Sequence, residues 1–383
     1  MKKWDEVLMA NYGVPHLTLV SGKGNKVRDL EGHEYLDFLG GIATNILGHA
    51  HPDIIRAVTH QLEELTHVSN FYAHPQGLQL AEELQNLVGE TNARTFFCNS
   101  GAEANETALK ISRLTGRKRI VAFVNSFHGR TMGALSMTGQ SGKRDPFKPL
   151  IPKITFLPFG DESALRRGIT KRTAMVIVEP IQGEAGVLVP PEGFLRKLRD
   201  RCDETGALLA IDEVQTGMGR TGSWFAYQRE GITPDIITLA KGLGGGLPLG
   251  ATIGIGRTAS LLQAGSHGST FGGSPTSTAA ALAAIHVIKR DQLLAKVSAL
   301  GESIISHGSQ IQGVSQIRGA GLLLGIALTN ADAKDVQKKL EAERILVNAP
   351  NANTIRIAPA FVTTREDAER FLSTLEEVLR KSS

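Results

Sequence analysis

The chain has 383 residues, 41% hydrophobic and 21% charged, with 42 glycines, about 11% where globular chains average about 7%. Its 42 Lys and Arg against 38 Asp and Glu leave a net charge of only +4, scattered without interleaved aromatics, so no nucleic-acid surface is expected. The apolar content excludes a disordered chain, and glycines without a three-residue period exclude collagen; no apolar run reaches the ~18 residues of a membrane span, and Cys98 and Cys202 cannot build a disulfide framework.

Met1-Lys2-Lys3 leads into Trp4-Asp5-Glu6 rather than an apolar run, which is no signal peptide, so a cytoplasmic location is expected. Short alternating strands follow at Leu17–Val20, Lys26–Asp29 and Tyr35–Phe38, with a Glu31-Gly32 turn before the last. From Pro52 the apolar spacing turns helical, through Ile54, Ile55, Val58, Leu62 and Leu65. Strands are then predicted at Thr95–Cys98, Arg119–Val124, Ile154–Leu157, Ala174–Glu179, Ala207–Asp212, Asp235–Ala240 and Ala251–Gly256. Helical stretches such as Ala102–Leu114 and Phe194–Glu204 separate most of them. The continuously apolar runs Met175–Val178 and Leu208–Ile211 suit strands covered on both faces, in an α/β fold with a mostly parallel sheet between helices. Past Gly272-Gly273 come helices at Pro275–Lys289 and Leu294–Gln310, two strands, a helix, a strand pair and a last helix at Glu366–Leu379, together a smaller α+β unit. The expected organisation is a large domain over 51–271 and a small one built from 1–50 and 272–383.

Three constellations carry chemistry. Asp212 ends an apolar strand, at the carboxyl edge of the sheet where open α/β folds bind ligands; alone it would read as a cap or a surface acid. Lys241 ends the next strand, 29 residues on, about one βαβ unit, so consecutive strand ends bring an acid and an amine to one crevice. The glycines at 242, 244, 245 and 246 let other groups approach that amine. The third, Asn99-Ser100-Gly101-Ala102-Glu103, leads a strand into a helix whose first N–H groups suit a phosphate, although Ser100 with Glu103 also spells an ordinary capping box.

Gly217-Met-Gly219-Arg-Thr-Gly222 is a literal dinucleotide fingerprint with Asp235 18 residues past its first glycine. Charged residues intervene between strand and glycines, and no helical run opens at Gly222, so a nicotinamide-dependent oxidoreductase is the remote alternative. His49, His51, His60, His67 and His74 straddle a loop and a helix, and no metal site is expected among them.

With these segments on the page the chain resembles the class III aminotransferases, pyridoxal 5'-phosphate enzymes of fold type I. The resemblance rests on Asp212-Glu-Val-Gln-Thr-Gly-Met-Gly-Arg-Thr-Gly222, Leu239-Ala-Lys-Gly-Leu-Gly-Gly-Gly-Leu-Pro-Leu-Gly250, Asn99-Ser-Gly-Ala-Glu-Ala-Asn105 and Glu179-Pro-Ile-Gln-Gly-Glu184. Within that class, Ser126-Phe-His-Gly-Arg-Thr131 and His267-Gly-Ser-Thr-Phe-Gly-Gly273 are similar to the acetylornithine group.

The resemblance implies that Lys241 holds pyridoxal phosphate covalently and that Asp212 pairs with its ring nitrogen. Ser100, Gly101 and Ala102 would hold the phosphate, and Phe127 would lie on the ring. Val214 and Gln215 would touch the ring from its other side; Glu213 alternates away from Asp212, although the family groups it with them. Arg356, on a strand face shared with Thr354 and Ala358, is a fork for a carboxylate. By resemblance it takes the α-carboxylate of glutamate and pairs with Glu184 when the other substrate is bound. Arg130, with Ser269 nearby, would bind the α-carboxylate of the donor. Thr270 would reach the phosphate in the neighbouring subunit, which implies a homodimer with shared sites.

The activity implied is ping-pong transfer of the ω-amino group of N-acetylornithine to 2-oxoglutarate, a step of arginine biosynthesis. Ornithine, 4-aminobutyrate and succinyl-diaminopimelate are the alternative donors. Surplus glycine, in this reading, clears backbone around the cofactor.

Overall fold

The structure, a computed structural model, describes residues 3–381. The N-terminal strands β1 (Leu19–Lys23), β2 (Lys26–Asp29) and β3 (Glu34–Asp37) form an antiparallel meander. Strand β1 starts two residues later than the alternation predicts, because its partner β2 fixes the register through Lys23 opposite Lys26.

The central sheet has seven strands: β4 (Arg94–Cys98), β5 (Arg119–Phe123), β6 (Ile154–Leu157), β7 (Thr173–Val178), β8 (Leu208–Asp212), β9 (Ile236–Leu239) and β10 (Gly250–Gly254). Their order is β4-β10-β9-β8-β7-β5-β6. β10 runs antiparallel to both its neighbours, while the pairs from β9 through β6 are parallel.

The apolar runs are two-faced. Val176, Val178, Leu209 and Ile211 pack in one buried cluster with Phe194, Leu195 and Leu198 of the Phe194–Thr205 helix. Met175, Ile177, Leu208 and Ala210 pack in another with Ala108, Leu109 and Ile111 of the Gly101–Arg113 helix. A strand period of two sends alternate residues to opposite faces, so helices on both sides demand unbroken apolar sequence. Each such buried aliphatic side chain contributes about 1.5–3 kcal/mol against exposure.

The C-terminal strands β11 (Val314–Ala320), β12 (Leu323–Leu328), β14 (Asn348–Asn351) and β15 (Thr354–Ile357) form an antiparallel sheet in the order β11-β12-β15-β14. The short β13 (Ile345–Leu346) instead pairs in parallel with β3, so three strands stand where the sequence suggested a pair. Phe38 stacks on Phe371 of the last helix, Arg365–Arg380, at 4.7 Å between ring centroids. The N-terminal strands are thereby fixed to the C-terminal part. A helix over Pro75–Val88, not singled out in the sequence, opens on a His74 cap and closes at Gly89 in the left-handed region.

The Gly217–Gly222 run is a turn, not the start of a helix. A Cβ at Gly219 would meet Leu294 and Phe361, and one at Gly222 would meet Ser298. These two glycines admit the Leu293–Gly308 helix and the segment at Phe361 rather than a ligand. That corrects both the dinucleotide reading and the expectation that every glycine cluster borders the cofactor.

Candidate active site

The parallel strands all end on one edge, and the side chains just past those ends meet in a cavity of about 440 Å³. β4 leads to Asn99, Ser100, Gly101 and Ala102; β5 to Phe127, His128, Gly129 and Arg130; β7 to Glu179; β8 to Asp212, Val214 and Gln215; β9 to Ala240 and Lys241. The antiparallel β10 begins at the same edge, and Gly246 to Leu249 close that side.

Lys241 sits with φ +47° on the turn after β9. A side chain in the left-handed region is strained, a cost that persists only where the surroundings impose it. Burial lowers the pKa of its amine to about 8, against opposing pulls from Glu184, Asp212 and Glu179 and with help from Arg356. A substantial neutral fraction at physiological pH makes the amine a nucleophile.

Asp212 is 3% exposed and held by three donors. Asn105 Nδ2 and His128 Nδ1 reach its Oδ2 at 2.8 and 2.7 Å, and the Val214 N–H reaches its Oδ1 at 3.1 Å. His128 is buried with its Nε2 unpartnered. Asn105 also donates to the His128 carbonyl at 2.8 Å, so the pair is braced together. Neither residue was expected from the sequence to touch Asp212. The spacing of Asn105, four residues after Gly101 and so on the same helix face, was the available sign.

Glu179 accepts the Phe127 backbone N–H at 2.8 Å and so fixes the residue whose ring lies along the cavity. Burial, with repulsion from Asp212, pushes the Glu179 carboxyl well above the usual carboxylate range. It too escaped the sequence reading.

Half of the capping box forms: Ser100 Oγ accepts the Glu103 N–H at 3.2 Å, but the Glu103 carboxylate accepts the N–H of Asn99, one residue before the cap, at 2.6 Å, rather than that of Ser100. The cap leaves the leading N–H groups of Gly101 and Ala102, which line the cavity, at a helix N-terminus that favours an anion.

Arg356 lies 3% exposed on β15 and spans Gly183 O at 3.1 Å, Glu184 Oε1 at 2.5 Å and Asn348 Oδ1 at 2.9 Å. Gln215 Nε2 reaches the same Glu184 oxygen at 3.4 Å. Although burial opposes it, the Arg356 guanidinium draws the Glu184 carboxyl down to about 2. Arg130 is exposed at the mouth, 5.6 Å from the centre of the Phe127 ring.

Three expected residues lie elsewhere. Glu213 is buried but turns its carboxylate away, onto the Thr216 hydroxyl and the Tyr227 N–H, and burial raises its pKa to about 7. Strand alternation puts it on the face opposite Asp212, so it braces the turn and does not line the cavity. Ser269 accepts from Asn99 Nδ2 at 3.1 Å and from the Gly272 N–H at 3.0 Å beside the cavity, and Thr270 is exposed.

The donor set fits pyridoxal phosphate: an amine of lowered pKa, a braced carboxylate for a ring nitrogen, a helix N-terminus for a phosphate, and Phe127 and Val214 as apolar lining for a flat ring. The unpartnered Oε1 of buried Gln215 and Nε2 of His128 are polar atoms that such a group or its water would satisfy.

The aminotransferase class-III family matches over residues 8–379. The acetylornithine aminotransferase of Mycobacterium tuberculosis is 50% identical over 385 residues, covering 100% of this chain and 96% of that protein. The acetylornithine aminotransferase of Streptomyces coelicolor is 51% identical over 386 residues, with the same coverage of 100% and 96%. Among solved structures, an ornithine aminotransferase of Toxoplasma gondii superposes with a TM-score of 0.94 at 31% identity, covering 98% of this chain and 93% of that one. An N-acetylornithine aminotransferase of Stenotrophomonas maltophilia gives a TM-score of 0.84 at 33% identity, with 97% and 98% covered. With a lysine, a braced acid and a phosphate-ready helix meeting at the carboxyl edge of its sheet, the chain belongs to the class-III aminotransferases and is a pyridoxal-phosphate-dependent enzyme of fold type I.

Proposed function

We propose that the enzyme transfers the ω-amino group of N-acetylornithine to 2-oxoglutarate, giving N-acetylglutamate semialdehyde and glutamate. The observation that carries this reading is the Arg356–Glu184 pair in the wall beside Lys241. An ω-amine donor brings a neutral chain to that wall, so Arg356 stays masked by Glu184. A dicarboxylate brings a charge, which a bared Arg356 binds as a fork. Arg130 at the mouth takes the donor's α-carboxylate, with Ser269 nearby.

Pyridoxal phosphate, when bound, supplies an electron sink that acidifies the C–H of the amino-bearing carbon. Lys241 would hold it, with Ser100, Gly101 and Ala102 at the phosphate and Phe127, Val214 and Gln215 about the ring. Asp212, held by donors from Asn105 and His128, would hold the ring-nitrogen proton in place. Lys241 Nζ would move the proton that leaves the amino carbon, in a site walled on one side by Leu247, Pro248 and Leu249.

We assign 51–271 to the large cofactor domain and 1–50 with 272–383 to the small one, which the β3–β13 pairing and the Phe38–Phe371 stack support. A homodimer in which Thr270 completes the partner's phosphate site, and a reducing cytoplasmic setting in line with the free thiols of Cys98 and Cys202, belong to the same reading.

Borohydride reduction of the yellow holoenzyme should fix the cofactor on Lys241, and Lys241→Ala should lose that adduct and at least about 10²–10⁴-fold in kcat. An adduct retained in the variant would reject the lysine assignment. Assays with acetylornithine, ornithine, 4-aminobutyrate and succinyl-diaminopimelate settle the donor: higher kcat/KM for any of the others than for acetylornithine rejects the choice made here.

A further inference from the structure

Glu184 has a second cation. Its Oε1 faces Arg356, while Lys143 Nζ stands 3.7 Å from Oε2. Lys143 comes from a separate element, the helical turn Ser141–Arg144, and its amine also lies 4.9 Å from the centre of the Phe127 ring. The neighbouring Arg144 anchors that turn, with its guanidinium 4.4 Å from the Phe156 ring centre and a bond to Thr138 O at 3.2 Å. The Lys143 side chain is 30% exposed, so the amine has not simply gone out to water. Burial lowers its pKa, Glu184 pulls the other way, and Arg130 and Arg356 add to the lowering, so Lys143 senses both arginines as well as the carboxylate.

A dicarboxylate can use Arg356 only after Glu184 has let go of it. A carboxylate released within this wall without a partner would be costly, and that cost would be charged to the half-reaction that needs Arg356 bare. We propose that Lys143 is the second station of Glu184: the carboxylate pairs with Arg356 while the ω-amine donor reacts and moves onto Lys143 when glutamate or 2-oxoglutarate takes Arg356. Lys143 is thus a specificity residue for the dicarboxylate half-reaction. The inference rests on the function proposed above.

The test follows the change in cofactor absorbance as holoenzyme meets acetylornithine or glutamate alone, in wild type, Lys143→Gln, Glu184→Gln and the double variant. Lys143→Gln should lower the rate constant per substrate concentration about tenfold more with glutamate than with acetylornithine, the scale of one lost charged hydrogen bond. Lys143→Arg should restore most of it. In the Glu184→Gln background, adding Lys143→Gln should change the glutamate half-reaction less than about twofold, because the group it receives is gone. Equal losses with both substrates, a greater loss with acetylornithine, or full additivity of the two substitutions would each overturn the proposal. Wild-type enzyme inert toward acetylornithine would overturn the donor assignment instead, while the double-variant comparison on glutamate alone would still decide the role of Lys143.

Discussion

The site works through residues whose ionisation the fold has set. Asp212 accepts from two side chains and one backbone N–H, whereas burial, with repulsion from Asp212, pushes the nearby Glu179 carboxyl well above the usual carboxylate range. Lys241 shows the opposite case, an amine with its pKa lowered to about 8, first by burial and then by Arg356. Covalent uptake of pyridoxal phosphate by the apoenzyme needs the neutral amine. Its rate should therefore rise with pH and level off above about 9, standing about tenfold below the plateau at pH 7. An amine at the ordinary lysine value would show no plateau there. Glu184 is the first of the charges that hold the lysine pKa up, so Glu184→Gln should move the midpoint below 8. Stopped-flow absorbance across pH 6 to 10 checks both, and a midpoint that rises in the variant would refute the stated electrostatics.

At the scale of elements, the site depends on how closely β10 runs past the end of β4. Gly250 pairs with Cys98, and a Cβ on Gly250 would stand 2.5 Å from the Ser100 carbonyl oxygen. Gly250→Ala should push the Ser100–Ala102 corner out of place, at the cost of about 1–3 kcal/mol typical of overpacking. Equilibrium dialysis should show pyridoxal phosphate bound at least about tenfold more weakly, with the far-UV spectrum unchanged; wild-type affinity would show that the close approach is irrelevant. This pairing also marks the limit of what could be read from the chain. The parallel core was legible, because runs such as Met175–Val178 have to be apolar on both faces, and so were Asp212 and Lys241, because strand ends on a parallel sheet share an edge. The reversed direction of β10 was not legible, since an apolar strand reads the same either way. His128, Glu179 and Lys143 were hidden for a related reason: each acts through a partner more than 20 residues away, and no local period records such a meeting.

On the scale of the whole molecule, the same cavity edge adjoins a surface that a lone chain has little reason to carry. Phe71, Tyr72 and Phe271 are 93%, 73% and 61% exposed, and large aromatics in contiguous exposed positions mark an interaction face. They belong to one patch: Asn70 Nδ2 bonds to the carbonyls of Ser269 at 3.3 Å and Gly272 at 3.0 Å, and the Phe271 ring meets His67 at 4.8 Å between centroids. Ser269 bonds to Asn99 of the cavity wall, while Thr270, proposed for the neighbouring phosphate, stands exposed on this patch. In the proposed dimer Phe271 is then an anchor, and Phe271→Ser should raise the dimer dissociation constant by at least about 30-fold, the 2 kcal/mol threshold of an interface hot spot. Since Thr270 would leave with the partner, cofactor affinity should fall along with dimerisation and recover as protein concentration is raised. Sedimentation velocity and cofactor titration at matched concentrations test the coupling. A variant that stays dimeric, or one that becomes monomeric with wild-type cofactor affinity, would separate the aromatic patch from the active site and leave Thr270 without its proposed role.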